Sequence, residues 1–162
     1  MRNICFLFLL LISFGCQTSI KPEAIKKFRN NIHFTAEGIK VEQAYLTYAD
    51  GSLVPESNLA KINDKIVLHL IMTKGWKEEN GMVSLDASQR LESNTHEILL
   101  DETSMFKTVG EVSSEDAKII TLSIKLGGFN KLYDYFILTF RLWDIRGSSE
   151  VHGNYKINLT DK

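Results

Sequence analysis

The residues in this chain that could do chemistry are present but scattered. The four histidines are His33, His69, His96 and His152. No two of them stand at a ligand spacing, and no His-Glu-x-x-His pair exists to hold zinc with an adjacent base. His33, His69 and His152 fall in stretches that read as strands, which points to structural or surface roles. No Gly-x-Ser-x-Gly elbow is present to expose a nucleophilic serine. Carboxylates are paired at Glu78-Glu79, Asp101-Glu102 and Glu115-Asp116. Glycoside hydrolysis needs two carboxyl groups held about 5–10 Å apart across a substrate. Neighbouring acids in loops do not arrange that, and they read as solvated. Calcium takes six to eight oxygen ligands. No Asp-x-Asp-x-Asp-Gly loop gathers them. The sequence therefore implies no catalytic residue, no metal and no cofactor.

The aromatic residues offer more. Trp76 stands in Lys74-Gly75-Trp76-Lys77, where a polar loop is expected. A tryptophan there either anchors a partner or folds back to plug the end of its own domain. Tyr135 and Trp143 share with Ile137 the side of a strand opposite the Phe136–Leu142 stripe. Thr139 and Arg141 lie on that same side, so it reads as the wetter face. Trp76, Tyr135 and Trp143 are the candidate partner contacts, for a protein or a glycan.

What carries these residues is a β-rich domain behind a targeting segment. Arg2 precedes an apolar run over 4–14, far short of the roughly 20 residues a spanning helix requires. It has the make-up of the h-region of a cleavable signal. The run ends in Ser13-Phe14-Gly15-Cys16, with a small residue before the cysteine. In this the amino terminus resembles the bacterial lipoproteins, through a loose lipobox: Gly15 and Cys16 match, while Ser13 and Phe14 depart from the usual pattern. The resemblance implies signal-peptide cleavage after Gly15 and a lipid, palmitate included, on Cys16. It also implies a chain held in the cell envelope, most simply at the outer membrane. Cys5 lies inside the signal, so Cys16 is left as the mature cysteine and no disulfide is expected.

Residues 16–31 read as the lipidated terminus and a tether, with Pro22 and the basic Lys21, Lys26, Lys27 and Arg29. The net charge of −1 falls to about −2 once Arg2 leaves, and charges of both signs are interspersed. No basic patch marks a nucleic-acid partner; the expected partners are the membrane, through the lipid, and a protein or glycan ligand.

Over 32–162 the dominant apolar period is two, that of strands. Ile39–Tyr48 slips phase near Glu42-Gln43, which predicts a bulge. Lys65–Met72 has the two-sided apolar character of a central strand. Met82–Ala87 and Arg90–Leu100 read as separate strands joined by a polar turn at Ser88-Gln89. Asp101–Asp116 reads as the longest loop. Lys118–Leu126, Tyr135–Trp143 and Glu150–Leu159 complete the set, the last two as a hairpin across Asp144–Ser149. Seven to nine short strands with turns between them predict an all-β, immunoglobulin-like sandwich. The function expected is a non-enzymatic, lipid-anchored binding protein. The alternative is a small hydrolase of envelope polymers with an unrecognised site.

Overall fold

The computed structural model describes residues 27–129 and 131–160. The signal peptide and Cys16 lie outside them, as does most of the tether. Ten strands occur in chain order. They are β1 (His33–Glu37), β2 (Lys40–Tyr48), β3 (Leu59–Ala60), β4 (Lys65–Lys74), β5 (Met82–Ser93), β6 (Ile98–Glu102), β7 (Glu111–Ser113), β8 (Ile119–Lys125), β9 (Tyr135–Asp144) and β10 (Glu150–Leu159). One short 3-10 turn, Asp116–Lys118, precedes β8. No helix among the described residues is long and apolar enough to cross a membrane.

The architecture is the two-sheet β-sandwich expected from the period-two pattern. The larger sheet runs β1-β10-β9-β5-β6, with β3 adding to β10 and β7 adding to β5. The smaller is β2-β4-β8. All main pairings are antiparallel; β3 with β10 is the parallel exception.

The inner faces interdigitate as an apolar core. From the small sheet come Ile66, Leu68, Leu70 and Met72 of β4, with Leu122 and Ile124 of β8. From the large sheet come Phe136, Leu138, Phe140 and Leu142 of β9, with Val151, Tyr155 and Ile157 of β10. Each set is one alternate file of its strand, because successive side chains point to opposite faces. β4 is central in its sheet, as its apolar density requires. The bulge in β2 is present: the register with β4 shifts between Lys40 and Gln43, leaving Glu42 unpaired. Gly153 of β10 pairs with Phe34 of β1. A side chain there would collide with the His33 carbonyl, the Phe34 Cβ and the edge of the Phe140 ring.

Three expectations need correcting. Ser88-Gln89 is not a turn. β5 runs unbroken through it for 12 residues, and the hairpin to β6 turns at residues 94–97 instead. Gln89 broke the apolar file at an inward position and so read as surface. Asp101–Asp116 is not one loop, since it holds the end of β6, all of β7 and the start of the 3-10 turn. The folded domain also reaches back past residue 32. Phe28 bridges Ala44, the Ala44 N–H donates to the Lys27 carbonyl at 2.8 Å, and Arg29 N–H donates to Ala44 at 2.9 Å.

Candidate binding surfaces

Strand β9 presents Tyr135, Ile137, Thr139, Arg141 and Trp143 outward, away from the core. Across the sheet these stand beside Asn158, Lys156, Asn154, His152 and Glu150 of β10. On the other side they face Glu92, Arg90, Ser88 and Asp86 of β5. Tyr135 and Trp143 thus lie at opposite ends of one strand, both half-buried. Each ring carries a cation. Lys156 Nζ sits 3.8 Å from the Tyr135 ring centre, and the Arg141 guanidinium 5.1 Å from that of Trp143.

The two ends differ in how firmly the cation is held. Arg141 donates from Nε to Glu150 Oε2 at 2.9 Å, and its Nη2 reaches the same oxygen. Hydrogen bonds from Arg141, with smaller help from its charge and from His152, hold the Glu150 carboxyl below its usual range against the opposing effect of desolvation. The Trp143 end is therefore a clamped ion pair over a ring. Lys156 makes no ion pair among the described residues, so the Tyr135 end is the looser one. Beside it a depression of about 510 Å³ is lined by Asn31, His33, Ser57, Asn154 and Asn158 among others.

Trp76 sits elsewhere, at one end of the sandwich. Gly75 precedes it with φ +129°, a backbone that would drive a side chain into Gly38 and Ile39. The indole N–H donates to the Ala117 carbonyl at 3.1 Å, and the ring packs against the core. Asp144 holds the loop beside it. That buried carboxylate accepts from the backbone N–H groups of Lys77 at 2.5 Å, Arg146 at 2.8 Å and Gly147 at 2.9 Å. Trp76 is thus placed as a cover for the sandwich end, apart from Tyr135 and Trp143.

The histidines do not converge. His69 stacks on Tyr45 with centroids 4.7 Å apart, bonds Thr47 at 2.9 Å, and is held below its usual range by burial. His96 and His152 pair with Glu92 and Glu150. Among the described residues no three histidines, cysteines or carboxylates are grouped to hold a metal ion.

Sequence reasoning missed a third place. The sandwich opens between the edge strands β6 and β8 into a cleft of about 450 Å³. Gln89 contributes to its wall, but the residue is 1 % exposed and both polar atoms of its carboxamide are closed off from solvent, with no hydrogen bond of ordinary geometry. The fully buried Tyr155 hydroxyl is likewise unpartnered. Burial pushes that phenol far up, and its contact with the Gln89 carboxamide opposes the rise. The signal that could have found this cleft was the polar pair, Gln89 and Ser93, in an otherwise apolar inward file.

No family model matches the chain, and no curated protein matches it. Among solved structures it is similar to one titled "Crystal structure of the C-terminal domain of wzt", at 12% identity and TM-score 0.47, covering 84% of this chain and 82% of that one. A likeness at that identity and score bears on no functional claim.

Proposed function

We propose that this is a lipid-anchored, non-enzymatic protein of the cell envelope, held at the outer membrane through Cys16. Its sandwich would bind a protein or glycan partner with the outer face of the larger sheet. The observation that carries the binding reading is the outward file of β9. Tyr135, Ile137 and Trp143 remain half-exposed there, among cations, amides and hydroxyls. A sheet face with no partner has no structural need of two large rings, whereas aromatic residues beside arginine recur at recognition surfaces. The anchor rests on Gly15-Cys16 and the apolar run before it.

A photo-crosslinking side chain at Thr139, exposed in the middle of that file, tests the surface in intact envelopes. The control is the same group at Thr121, exposed on the smaller sheet. Capture of one species from Thr139 alone, reduced by Tyr135→Ala, supports the proposal. Equal capture from both positions, or none from Thr139, rejects it. The anchor is tested apart. Cys16→Ser should leave the membrane fraction or fail to mature, and normal processing with retention in the membrane would reject lipidation.

A further inference from the structure

We infer that the free edge of β8 is a second binding site, for an extended peptide segment that adds to the smaller sheet as a fourth strand. The site does not depend on the outer face of the larger sheet.

The smaller sheet treats its two edges differently. The edge at β2 is blunted. It carries the bulge at Glu42, and other segments cover it: Ala44 shares backbone bonds with Lys27 and Arg29, Val54 N–H donates to Leu46, and Tyr48 N–H donates to Ser52. β8 has no such device. Its register with β4 runs unshifted from Ile119 to Lys125, and its sequence holds no proline, no glycine and one charge, at its last residue. Leu126 N–H donates to Asp64 on the β4 side, so Ile124, Leu122 and Ile120 also turn their backbone groups to β4, and the residues between them face away. The Ile119 N–H is taken by Asp116 in the preceding turn. Both backbone groups of Thr121 and of Ser123, with the Lys125 N–H, have no partner among the described residues. Such a row is a template for another strand, which sheets ordinarily protect.

What lies beside this edge fits an extended chain. Two depressions follow β8 on the cleft side. One, of about 250 Å³, lies at residues 119–121 and is walled by Leu85, Phe106 and Val112, with the exposed Val109 beside them. The other, of about 450 Å³, lies at residues 123–125 and is walled by Leu100 and Met105. Four residues of strand separate them, about 13 Å. An added strand turns alternate side chains to one face. Its apolar residues i and i+4 would enter the two depressions while its backbone completes the row. A second copy of this chain fits less well. Pairing β8 with β8 keeps Ile120, Leu122 and Ile124 in their own core, so both depressions stay empty.

The test uses the full chain in detergent micelles. The probe is acetyl-Lys-Leu-Thr-Val-Thr-Phe-Lys-amide, which sets leucine, valine and phenylalanine on one face and turns the threonine N–H groups to the edge. The readout is the backbone amide signals of Thr121, Ser123 and Lys125 in nitrogen-15 NMR spectra. These should shift saturably in the micromolar range, and their hydrogen exchange should slow. The same peptide methylated on its two threonine nitrogens keeps every side chain and loses edge bonds, so it should bind about tenfold more weakly or worse. Ser123→Pro removes one edge N–H without touching the β4 ladder and should weaken binding likewise. Val109→Asp, at an exposed wall position, should do the same, while Trp143→Ala should leave binding unchanged. The site is overturned by any of four results: no saturable shift, equal binding of the methylated peptide, wild-type affinity in either folded β8-edge or wall variant, or loss of binding in Trp143→Ala. Shifts of these amides with protein concentration alone would also overturn it, by giving the edge to a second copy.

Discussion

Among the buried carboxamides of this domain, Asn30 and Gln89 stand in opposite conditions. Asn30, at 0 % exposure, is saturated. Its Nδ2 donates to the Val54 and Pro55 carbonyls, both at 3.1 Å, and to Asn58 Oδ1 at 2.9 Å, while its Oδ1 accepts the Leu46 N–H at 3.0 Å. Asn58 answers through Nδ2, donating to the carbonyls of Asn30 and Lys156, both at 2.7 Å. Gln89 is as deeply buried and makes none of these bonds. The first amide replaces missing backbone partners where β2, the 53–58 segment and β10 meet. Asn30 and Asn58 also take left-handed backbones, φ +61° and +53°, which asparagine tolerates better than most residues. The second amide holds nothing together. Polarity in this core thus stands in two conditions, and counting hydrogen bonds tells them apart.

The largest test of that contrast is Asn30→Ala. It strands the Leu46 N–H and Asn58 Oδ1 and loosens the 53–58 segment. Each buried group left bare costs about 1–3 kcal/mol, so the loss should be about 3–5 kcal/mol in denaturant melts. A loss under about 1 kcal/mol would mean the network is ornamental, and the contrast with Gln89 would collapse.

Asp86 gives the intermediate case, a buried polar group that is charged and satisfied. It is 8 % exposed. Burial alone would raise its pKa. The Ser104 hydroxyl and the N–H groups of Phe106, at 3.0 Å, and Ala87, at 2.7 Å, outweigh that and hold it below its usual value. These bonds tie the 103–106 segment to β5, and Ser104 and Met105 line the Gln89 cleft. The unfolded chain therefore binds a proton more readily than the folded one. The contribution is complete above the ordinary aspartate range near pH 4 and is lost as pH falls through the lower folded value. Asp86→Asn should cost about 1.5–3 kcal/mol at neutral pH, as for hydrogen bonds to a charged group. It should also flatten the acid limb of the stability curve. An unchanged acid limb would show that Asp86 titrates alike in both states.

How much of this was legible follows from the same residues. The apolar files of β4, β8, β9 and β10 repeat with period two, so their strands, facing and hairpin could be read directly. The bulge in β2 showed as a phase slip because a single extra residue reverses the facing of every residue after it. Asn30 and Gln89 were not legible. A polar residue at an inward position looks the same in sequence as one at a turn. Asn30 read as tether and Gln89 as a loop, and both belong to the core. Of the candidate contacts, the shared facing of Tyr135 and Trp143 followed from periodicity. The bond from Trp76 to Ala117 spans 41 residues, and no local pattern records it.

The smallest expected effect is the sharpest. Gln89→Leu replaces an unpaired buried amide with an apolar side chain of similar reach. Removing a bare polar group from a core of the right shape is neutral to stabilising. Stability should therefore stay level or rise by about 1 kcal/mol, against the large loss at Asn30. Tyr155→Phe probes the neighbouring hydroxyl in the same way and should change stability by less than about 1 kcal/mol, since no bond is broken. Gln89→Ala separates polarity from packing. It deletes the apolar stem as well as the amide, so it should be less stable than the leucine variant by the cost of the space left behind. If Gln89→Leu instead loses more than about 1 kcal/mol while filling the same space, the amide has partners in the folded protein. Gln89 would then be a second Asn30, a structural clamp.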